Sequence, residues 1–351
     1  MIIVSLIAAS FFLSCVLVAF VLQVSFKKSW FDQHDERKIH TGKVPRLGGV
    51  GFALAFIIVA VSAIAFDAIP SLGSRLIPVL IAVPIVLVFG LMDDFKPLPP
   101  RYKLLAQSIA AIIVMSAGFT FHRIDFSAIG FNLNLGLFSY PLTFFWLVGV
   151  TNALNFIDGV DGLAGGVSFF AALGYAAVFT IGNNSGAVIL CLILAASVAG
   201  FLVFNLPIPK AKIFMGDGGS QFLGFTLALL PLLDNGVEFA ILPLPFAAAI
   251  LLIPIFDTFA AIWRRTRDGR RVDTPDKAHM HHKLMNLGLS AVAVDIIVWG
   301  LQIALSVFVF IARRNTGLTA LVYLLSAYLL ALLFFTIIHY LNRAKTVHTN
   351  R

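Results

Sequence analysis

The sequence predicts an all-α, polytopic integral membrane protein that forms one unit over residues 1–351. The chain is 60% hydrophobic and only 12% charged, with a mean hydropathy of +0.96. Its apolar runs of about 20 residues match the thickness of the hydrocarbon core of a bilayer. Nearly all Asp, Asn, His, Lys and Arg residues fall in short segments that would meet at one membrane face. We therefore expect about eleven transmembrane helices and a functional cleft open at that face.

Eleven apolar runs are long enough to be membrane spans. They cover residues 2–25, 47–66, 75–92, 103–121, 137–153, 163–182, 186–205, 217–234, 239–263, 291–312 and 317–340. The first run has no basic segment before it and is longer than the apolar core of a signal peptide. We expect it to be a retained helix rather than a cleaved signal.

The basic residues predict the orientation of the protein in the membrane. Loops on one side hold 21 of the 25 Lys and Arg residues, and the other side holds only Arg75, Arg123, Arg313 and Arg314. The positive-inside rule therefore places the basic loops in the cytoplasm and the N-terminus outside. The formal net charge of +8 follows mostly from this bias. Topology and anionic lipid headgroups explain that charge better than nucleic-acid binding does.

The first cytoplasmic loop presents two cations close to backbone. Lys43 and Arg46 lie beside Pro45 and the Gly48–Gly49 pair. Such cations suit a phosphate or a pyrophosphate. A solvated basic loop that anchors two helices is an equally good interpretation of this segment alone.

The third span ends in two adjacent carboxylates, Asp93 and Asp94. Adjacent carboxylates at a bilayer interface repel each other unless a cation or a proton relieves them. Acidic residues at a helix C-terminus also oppose the macrodipole, so helix stability does not favour them. A functional role is therefore the preferred interpretation, and ordinary charges facing water are the alternative.

The strongest motif of the chain runs from Thr151 to Gly166. Its oxygen-bearing side chains recur every three residues, so a helical or near-helical turn would stack them on one side. They are Asn152, Asn155, Asp158 and Asp161. The glycines around them permit close approach of a ligand. An Asx- and Gly-rich turn between two spans is the alternative.

A glycine-rich segment, Ile213 to Gln221, opens the eighth predicted span. Its glycines leave backbone N–H groups free at a helix N-terminus, which is a natural anion cradle. The carboxylate of Asp217 would repel an anion bound there without a cation. It suits a divalent cation that bridges it to a phosphate. Alternatively, Asp217 or Ser220 only caps the helix. Phe214 could be an interface anchor or a platform for a stacked base.

The last polar cluster is the segment Thr274 to Leu284, which follows five arginines. Its three histidines, His279, His281 and His282, suggest zinc, but the absence of a nearby Cys and the tight spacing argue against it. Imidazoles and arginines facing a diphosphate fit better, because they donate hydrogen bonds and neutralise charge. Each single histidine could equally have a structural role.

Together these segments predict a site for phosphoryl transfer. Oxygen ligands for a hard cation, glycine-rich phosphate approaches and a cationic loop all lie on the cytoplasmic side. Mg²⁺, with Mn²⁺ as an alternative, binds through one or two protein oxygens plus substrate phosphates. The implied reaction runs from a cytoplasmic nucleotide-linked donor to an acceptor that lies in the membrane.

In their order along the chain these motifs resemble those of the polyprenyl-phosphate N-acetylhexosamine-1-phosphate transferases, glycosyltransferase family 4. The resemblance covers nearly the whole chain and is carried by Asp93-Asp94, Asn152–Gly166, Phe214-x-Gly-Asp217-x-Gly-Ser220 and His279-x-His281-His282. The family includes bacterial enzymes that start O-antigen, enterobacterial common antigen and teichoic-acid linkage units. It also includes the phospho-N-acetylmuramoyl-pentapeptide transferase of peptidoglycan synthesis.

The resemblance implies roles for individual residues. Metal ligands would be Asn155 and Asp217. Catalytic residues would be Asp93, Asp94, Asp158, Asp161, Lys103, His279 and His281. Substrate-binding residues would be Lys43, Arg46, Asn152, Phe214 and His282. Within these groups, Asp93 and Asp94 would lie beside the lipid phosphate, and Phe214 would stack on uracil.

The resemblance also implies the substrates and the setting. The acceptor would be undecaprenyl phosphate and the donor a UDP-N-acetylhexosamine. The active site would face the cytoplasm at the bacterial inner membrane. A homodimer is a further expectation. The His279-x-His281-His282 pattern favours the GlcNAc-1-phosphate branch, because the muramoyl-pentapeptide enzymes usually carry three consecutive histidines. Some GlcNAc enzymes have a third acid where this chain has Pro97, which leaves the role of such an acid in doubt.

Two other classes of membrane protein share some of these features. A secondary transporter should carry its polar groups near the bilayer midplane in broken helices. An intramembrane aspartyl protease, suggested by Gly216-Asp217, would need a glycine at the position of Phe214. Neither pattern fits as well as a transferase.

Overall fold

The computed structural model describes residues 1–31, 44–69, 72–126, 130–233, 242–271, 276 and 278–349. Lys43 therefore lies outside the described residues. Within them the chain is almost entirely helical. The α-helices are α1 (Ile2–Lys28), α2 (Gly48–Ala65), α3 (Ile77–Phe95), α4 (Pro100–Ser116), α5 (Ser139–Ile157), α6 (Leu163–Ile181), α7 (Ser185–Asn205), α8 (Gly216–Leu229), α9 (Leu244–Ile250), α10 (Leu252–Arg267), α11 (Met280–Asn286), α12 (Ala291–Arg314) and α13 (Gly317–Thr349).

The predicted all-α, polytopic membrane fold is confirmed. Among the described residues, eight helices are long and apolar enough to cross a membrane, and a bent helix pair makes a ninth. The helices α4 and α8, with 17 and 14 residues, occupy two more of the predicted spans but are shorter. Every residue of α8 except Asp217 is buried, so α8 can be short because protein rather than lipid surrounds it.

The ninth predicted span is not one continuous helix, which corrects the prediction. It consists of α9 and α10, which meet at an angle of 85°. Pro254 lies in the first turn of α10 and has no backbone N–H for the carbonyl four residues earlier. A continuous helix across this point is therefore unfavourable, whereas proline is tolerated in the first turn of a new helix.

A small antiparallel hairpin was not predicted. Its strands are β1 (Arg123–Phe126) and β2 (Phe131–Asn134), with Arg123 opposite Asn134. The hairpin lies between α4 and α5, at the end of the bundle away from the polar motifs.

Glycines let α8 approach α2 and α3 at backbone distance. A Cβ at Gly49 would meet the backbone of Gly219, and one at Gly90 would lie 2.6 Å from the Cα of Gly218. Larger residues would force these helices apart. The glycines of the Ile213–Gln221 segment therefore serve packing, and they bring the ends of three helices to one point.

Candidate active site

The segment that ends the first loop is held by backbone hydrogen bonds to the chain before α8. The Phe214 N–H donates to the Pro45 carbonyl at 2.8 Å, and the Gly48 N–H donates to the Phe214 carbonyl at 2.9 Å. This pairing brings the Arg46 guanidinium to 3.7 Å from a carboxylate oxygen of Asp217. Two motifs separated by more than 160 residues therefore form one wall of the site.

Asp94 holds the N-terminus of α8. Its two carboxylate oxygens accept hydrogen bonds from the backbone N–H groups of Asp217 at 2.8 Å and of Gly218 at 2.9 Å. These N–H groups belong to the first turn and have no partner within the helix. Gly216 has φ +75°, and a Cβ there would collide with Asp94 and the Arg46 carbonyl. Asp94 therefore fixes the position of Asp217.

Lys103 lies between the carboxylates of Asp93 and Asp217. Its ammonium lies 3.0 Å from an oxygen of Asp93 and 2.9 Å from an oxygen of Asp217. The other oxygen of Asp93 accepts a hydrogen bond from the Leu98 N–H at 2.6 Å. The three charged side chains are between 13% and 22% exposed, so they face the cleft without being fully solvated. This cation relieves the repulsion between Asp93 and Asp217, whereas Asp94 is neutralised by the backbone N–H groups of α8.

Asn155 is oriented by Ser220. The Asn155 amide nitrogen donates to the Ser220 hydroxyl at 2.8 Å, and that hydroxyl is 3.1 Å from the Gly216 carbonyl, to which it donates. The Ser220 hydroxyl also lies 3.4 Å from the Asp217 carbonyl. Asn155 and Asp217 are thus connected through one residue, and the amide group is turned so that its oxygen remains for a ligand.

The donors present fit a magnesium ion that shares its coordination with phosphate. One carboxylate and one neutral amide oxygen are hard ligands, and Mg²⁺ usually binds few protein groups besides substrate phosphates and water. The described residues contain no group of three or more His, Cys, Asp or Glu that could hold a metal.

Asp158 and Asp161 follow the end of α5 rather than continuing it. The helix ends at Ile157, so only Asn152 and Asn155 lie on it, and the predicted single stack of four oxygens is interrupted. Burial, and then the charge of Asp217, raises the pKa of Asp158 to about 8. Asp161 is 8% exposed and lies close enough to Asp158 to repel it. Asp158 is therefore near the Asp217 group, and Asp161 lies near Asp158.

Asn152 lies deeper, in a network of amides between helices. Its nitrogen donates to the Gln107 side chain at 2.7 Å, and the Gln107 nitrogen donates to the Gln221 side chain at 3.0 Å. These contacts join α4, α5 and α8. The structure gives Asn152 protein partners, and its binding to substrate stays a prediction.

The histidine motif lies at the start of α11, with His279 just before the helix, and it packs on the loop after α5. The Nδ1 atom of His279 is 2.6 Å from a carboxylate oxygen of Asp257, and its ring lies 5.9 Å from that of Phe156. His281 is 2% exposed and contacts Gly159, where a side chain would collide with its ring. Burial, reinforced by His282, lowers the pKa of His281 to about 3. The ring of His282 lies 4.3 Å from that of His281.

The structure brings most of the predicted site residues to one end of the bundle. Arg46, Asp93, Asp94, Lys103, Asn155 and Asp217 are joined directly or through Ser220, with Asp158 nearby. Phe214 contributes backbone hydrogen bonds beside this group, and its stacking on a base stays a prediction.

Three contributors were missed by sequence reasoning. From the sequence Ser220 is expected as a helix cap and as part of the glycine-rich motif, Gln107 belongs to an apolar span, and Asp257 lies inside the ninth predicted span. A carboxylate inside an apolar run is itself a signal, because such residues are costly in a membrane unless they have a partner. Asp257 could have been found in this way.

The fold and the site define a multi-pass membrane protein with a polar cleft of carboxylates, amides and cations at one end of its helices. The model of the family described as "Glycosyl transferase family 4" matches residues 76–234. This match spans α3 to α8 and therefore contains Asp93, Lys103, Asn155 and Asp217.

Curated relatives agree with this match. A protein named "Probable undecaprenyl-phosphate N-acetylglucosaminyl 1-phosphate transferase" from Bacillus subtilis is 37% identical over 281 residues, which are 78% of this chain and 75% of the relative. A Mycolicibacterium smegmatis "Decaprenyl-phosphate N-acetylglucosaminephosphotransferase" is 33% identical over 73% and 68% of the two chains. An Escherichia coli K12 "Undecaprenyl-phosphate alpha-N-acetylglucosaminyl 1-phosphate transferase" is 31% identical over 80% and 76%. The chain belongs to glycosyl transferase family 4.

Proposed function

We propose that the protein transfers N-acetylglucosamine 1-phosphate from UDP-N-acetylglucosamine to undecaprenyl phosphate and releases UMP. The observation that carries this proposal is the pair of ion pairs that Lys103 makes with Asp93 and Asp217, with Asn155 beside them, at one end of a membrane helix bundle. The names of the relatives support the lipid acceptor and the sugar. They do not favour the muramoyl-pentapeptide alternative.

The reaction is a displacement at the sugar-bearing phosphorus. A phosphate oxygen of the lipid forms a new P–O bond, and the P–O bond to UMP breaks, so that UMP leaves with the bridging oxygen. The product is a lipid diphosphate that carries the sugar and can initiate a cell-envelope polysaccharide. Asp93 would orient the lipid phosphate and accept its proton where it carries one.

Positioning and charge neutralisation would supply most of the catalysis, as is usual in phosphoryl transfer. Lys103 and Arg46, which lie against Asp217 in the structure, would face the phosphates of the bound substrates. Asp94 would keep Asp217 in place through the N-terminus of α8. Asn155 and Asp217 would hold Mg²⁺, which when bound would withdraw charge from the diphosphate.

The donor would lie between α8 and the histidine motif. Asp158 and Asp161 would line its nucleotide end, Phe214 would stack on uracil, and His279 would contact the diphosphate or the sugar. Because His281 is buried on Gly159, its contribution would be to keep the loop of Asp158 in place.

The proposed setting is the inner membrane of a bacterium, with the site facing the cytoplasm. The charge bias of the loops supports it, because 21 of the 25 Lys and Arg residues lie on the side of the site. A nucleotide sugar is water-soluble, so a site at this face could receive it directly while the acceptor stays in the bilayer.

The test is release of UMP by the purified protein in lipid nanodiscs with undecaprenyl phosphate and Mg²⁺. UDP-GlcNAc, UDP-GalNAc and UDP-MurNAc-pentapeptide are supplied separately. We expect UMP release with UDP-GlcNAc that depends on both the lipid phosphate and Mg²⁺. Release with UDP-MurNAc-pentapeptide alone would reverse the substrate assignment, and no release with any donor would contradict the proposed function.

A further inference from the structure

Asp257 is a buried carboxylate of α10 that none of the steps above employs. It is 1% exposed and is the only charged residue of its helix before the basic final turns. We propose that Asp257 is a positioning residue that fixes the ring orientation and the tautomer of His279. This inference rests on the proposed function, in which His279 contacts the donor.

The carboxylate makes two hydrogen bonds at the start of α11. One oxygen lies 2.6 Å from Nδ1 of His279, and the other accepts the Met280 N–H at 2.7 Å. Both partners are buried, with His279 6% and Met280 1% exposed. A carboxylate oxygen only accepts, so the proton of the neutral imidazole lies on Nδ1. The Nε2 atom is left to face a ligand.

The helix that follows His279 is also held further along its length. The Asn342 side chain donates to the Lys283 carbonyl at 3.1 Å, and the Lys345 ammonium donates to the Asn286 carbonyl at 2.6 Å. These bonds come from α13, whereas Asp257 comes from α10. A seven-residue helix has little stability of its own, so such contacts from neighbouring elements are needed to place it.

The same arrangement connects His279 to the proposed centre of the site. Its ring packs on Phe156, which follows the proposed metal ligand Asn155 along the chain. The bend of 85° between α9 and α10 redirects the chain and with it Asp257. A carboxylate that fixes one nitrogen of a histidine while the other faces a ligand is a common means of orienting the ring.

A simpler alternative is that Asp257 only caps α11 through Met280. The substitution Asp257→Asn separates the two ideas. An asparagine oxygen still accepts from the Met280 N–H, but its NH₂ group then faces Nδ1 of His279 and requires a lone pair there. The histidine would have to change to the Nε2–H tautomer. If Asp257 only caps the helix, the activity of Asp257→Asn should be close to that of wild type.

The experiment measures UMP release, kcat and KM for wild type, Asp257→Asn, His279→Ala and the double variant in nanodiscs. Asp268→Asn is the matched control, because Asp268 is an exposed carboxylate that binds Arg267 and Arg270 just beyond α10. We expect Asp257→Asn to lower kcat/KM by about 10- to 100-fold, the usual effect of removing such an orienting group. The double variant should be no slower than His279→Ala, and the control should match wild type.

Solid-state ¹⁵N NMR of histidine-labelled protein, with His279→Ala used for assignment, reports the tautomer without any substrate. We expect Nδ1–H at His279 in wild type and Nε2–H in Asp257→Asn. An unchanged tautomer, an activity of Asp257→Asn within twofold of wild type, or additive losses in the double variant would overturn the inference. If wild type releases no UMP, the proposed function fails, while the NMR spectra still decide whether Asp257 sets the tautomer.

Discussion

Asp94 accepts hydrogen bonds from the backbone N–H groups of Asp217 and Gly218, so a carboxylate at the end of α3 caps the start of α8. Its neighbour Asp93 instead faces the ammonium of Lys103. Two adjacent acids that look equivalent in the sequence therefore have different partners. One holds the backbone, and the other belongs to the charged wall of the cleft.

This difference predicts different effects of the two substitutions. Asp94→Asn leaves only one oxygen to accept from two backbone N–H groups. We expect it to destabilise the protein by about 1–3 kcal/mol and to lower activity as a consequence. Asp93→Asn should keep the melting temperature near that of wild type but reduce kcat strongly, even at saturating UDP-GlcNAc. Thermal unfolding and UMP release are measured on both variants.

Two results would contradict the different roles expected of Asp93 and Asp94. A stable Asp94→Asn variant would mean that the cap contributes little. A change confined to the KM for the donor in Asp93→Asn would move Asp93 away from the acceptor side of the reaction.

Asp217 is predicted to be indispensable for metal-dependent turnover. Asp217→Asn removes the charge that Lys103 and Arg46 approach, and it removes the carboxylate ligand proposed for Mg²⁺. We expect activity to be lost at every Mg²⁺ concentration while the protein remains folded and membrane-inserted. Size-exclusion chromatography and the melting temperature verify folding. Normal activity would exclude the metal role of Asp217.

Ser220 is predicted to set the metal affinity through Asn155. In Ser220→Ala the Asn155 amide loses the acceptor that orients it, so its oxygen is no longer directed by a hydrogen bond. We expect the Mg²⁺ concentration for half-maximal UMP release to rise by about 10-fold. Ser108→Ala is the matched control, because this exposed hydroxyl bonds only to its own helix in the described structure. An equal change in both variants would show that Ser220 has no specific role.

Most of the helical architecture could be predicted from the sequence, as could several residues that the structure brings together at the candidate site. A lipid bilayer requires long apolar helices, so the apolar runs along the chain predict most of these helices and their order. Metal-ligand and phosphate chemistry restricts residue types, so Asp93, Asn155 and Asp217 could be proposed from their pattern, and their roles stay predictions. The bend at α9–α10 was missed, because a proline within an apolar run predicts a break but not its angle.

Pairings between distant segments could not be predicted. Nothing in the local sequence indicates that Asp94 would cap a helix 123 positions away, or that Asp257 would bind His279. Such contacts depend on how helices pack, and packing is decided by the shape of many side chains at once. For the same reason the pattern could not show that Asn152 would pair with Gln107 rather than face the cleft.

Acidification is predicted to weaken the contact between α11 and the loop after α5. Burial lowers the pKa of His281 to about 3 in the folded protein, whereas an unfolded histidine titrates near 6.5. The unfolded state therefore binds more protons between these values, so the stability that neutral His281 contributes is fully present above pH 6.5 and falls as the pH decreases below it. At pH 5 this protonation lowers the free energy of unfolding by about 2 kcal/mol.

Melting temperatures at pH 7.5 and pH 5.0 should therefore differ more for wild type than for His281→Gln. His122→Gln, a change at an exposed histidine, is the control. An identical pH dependence in wild type and His281→Gln would show that His281 is not the group that titrates, because that substitution removes the imidazole that packs on Gly159.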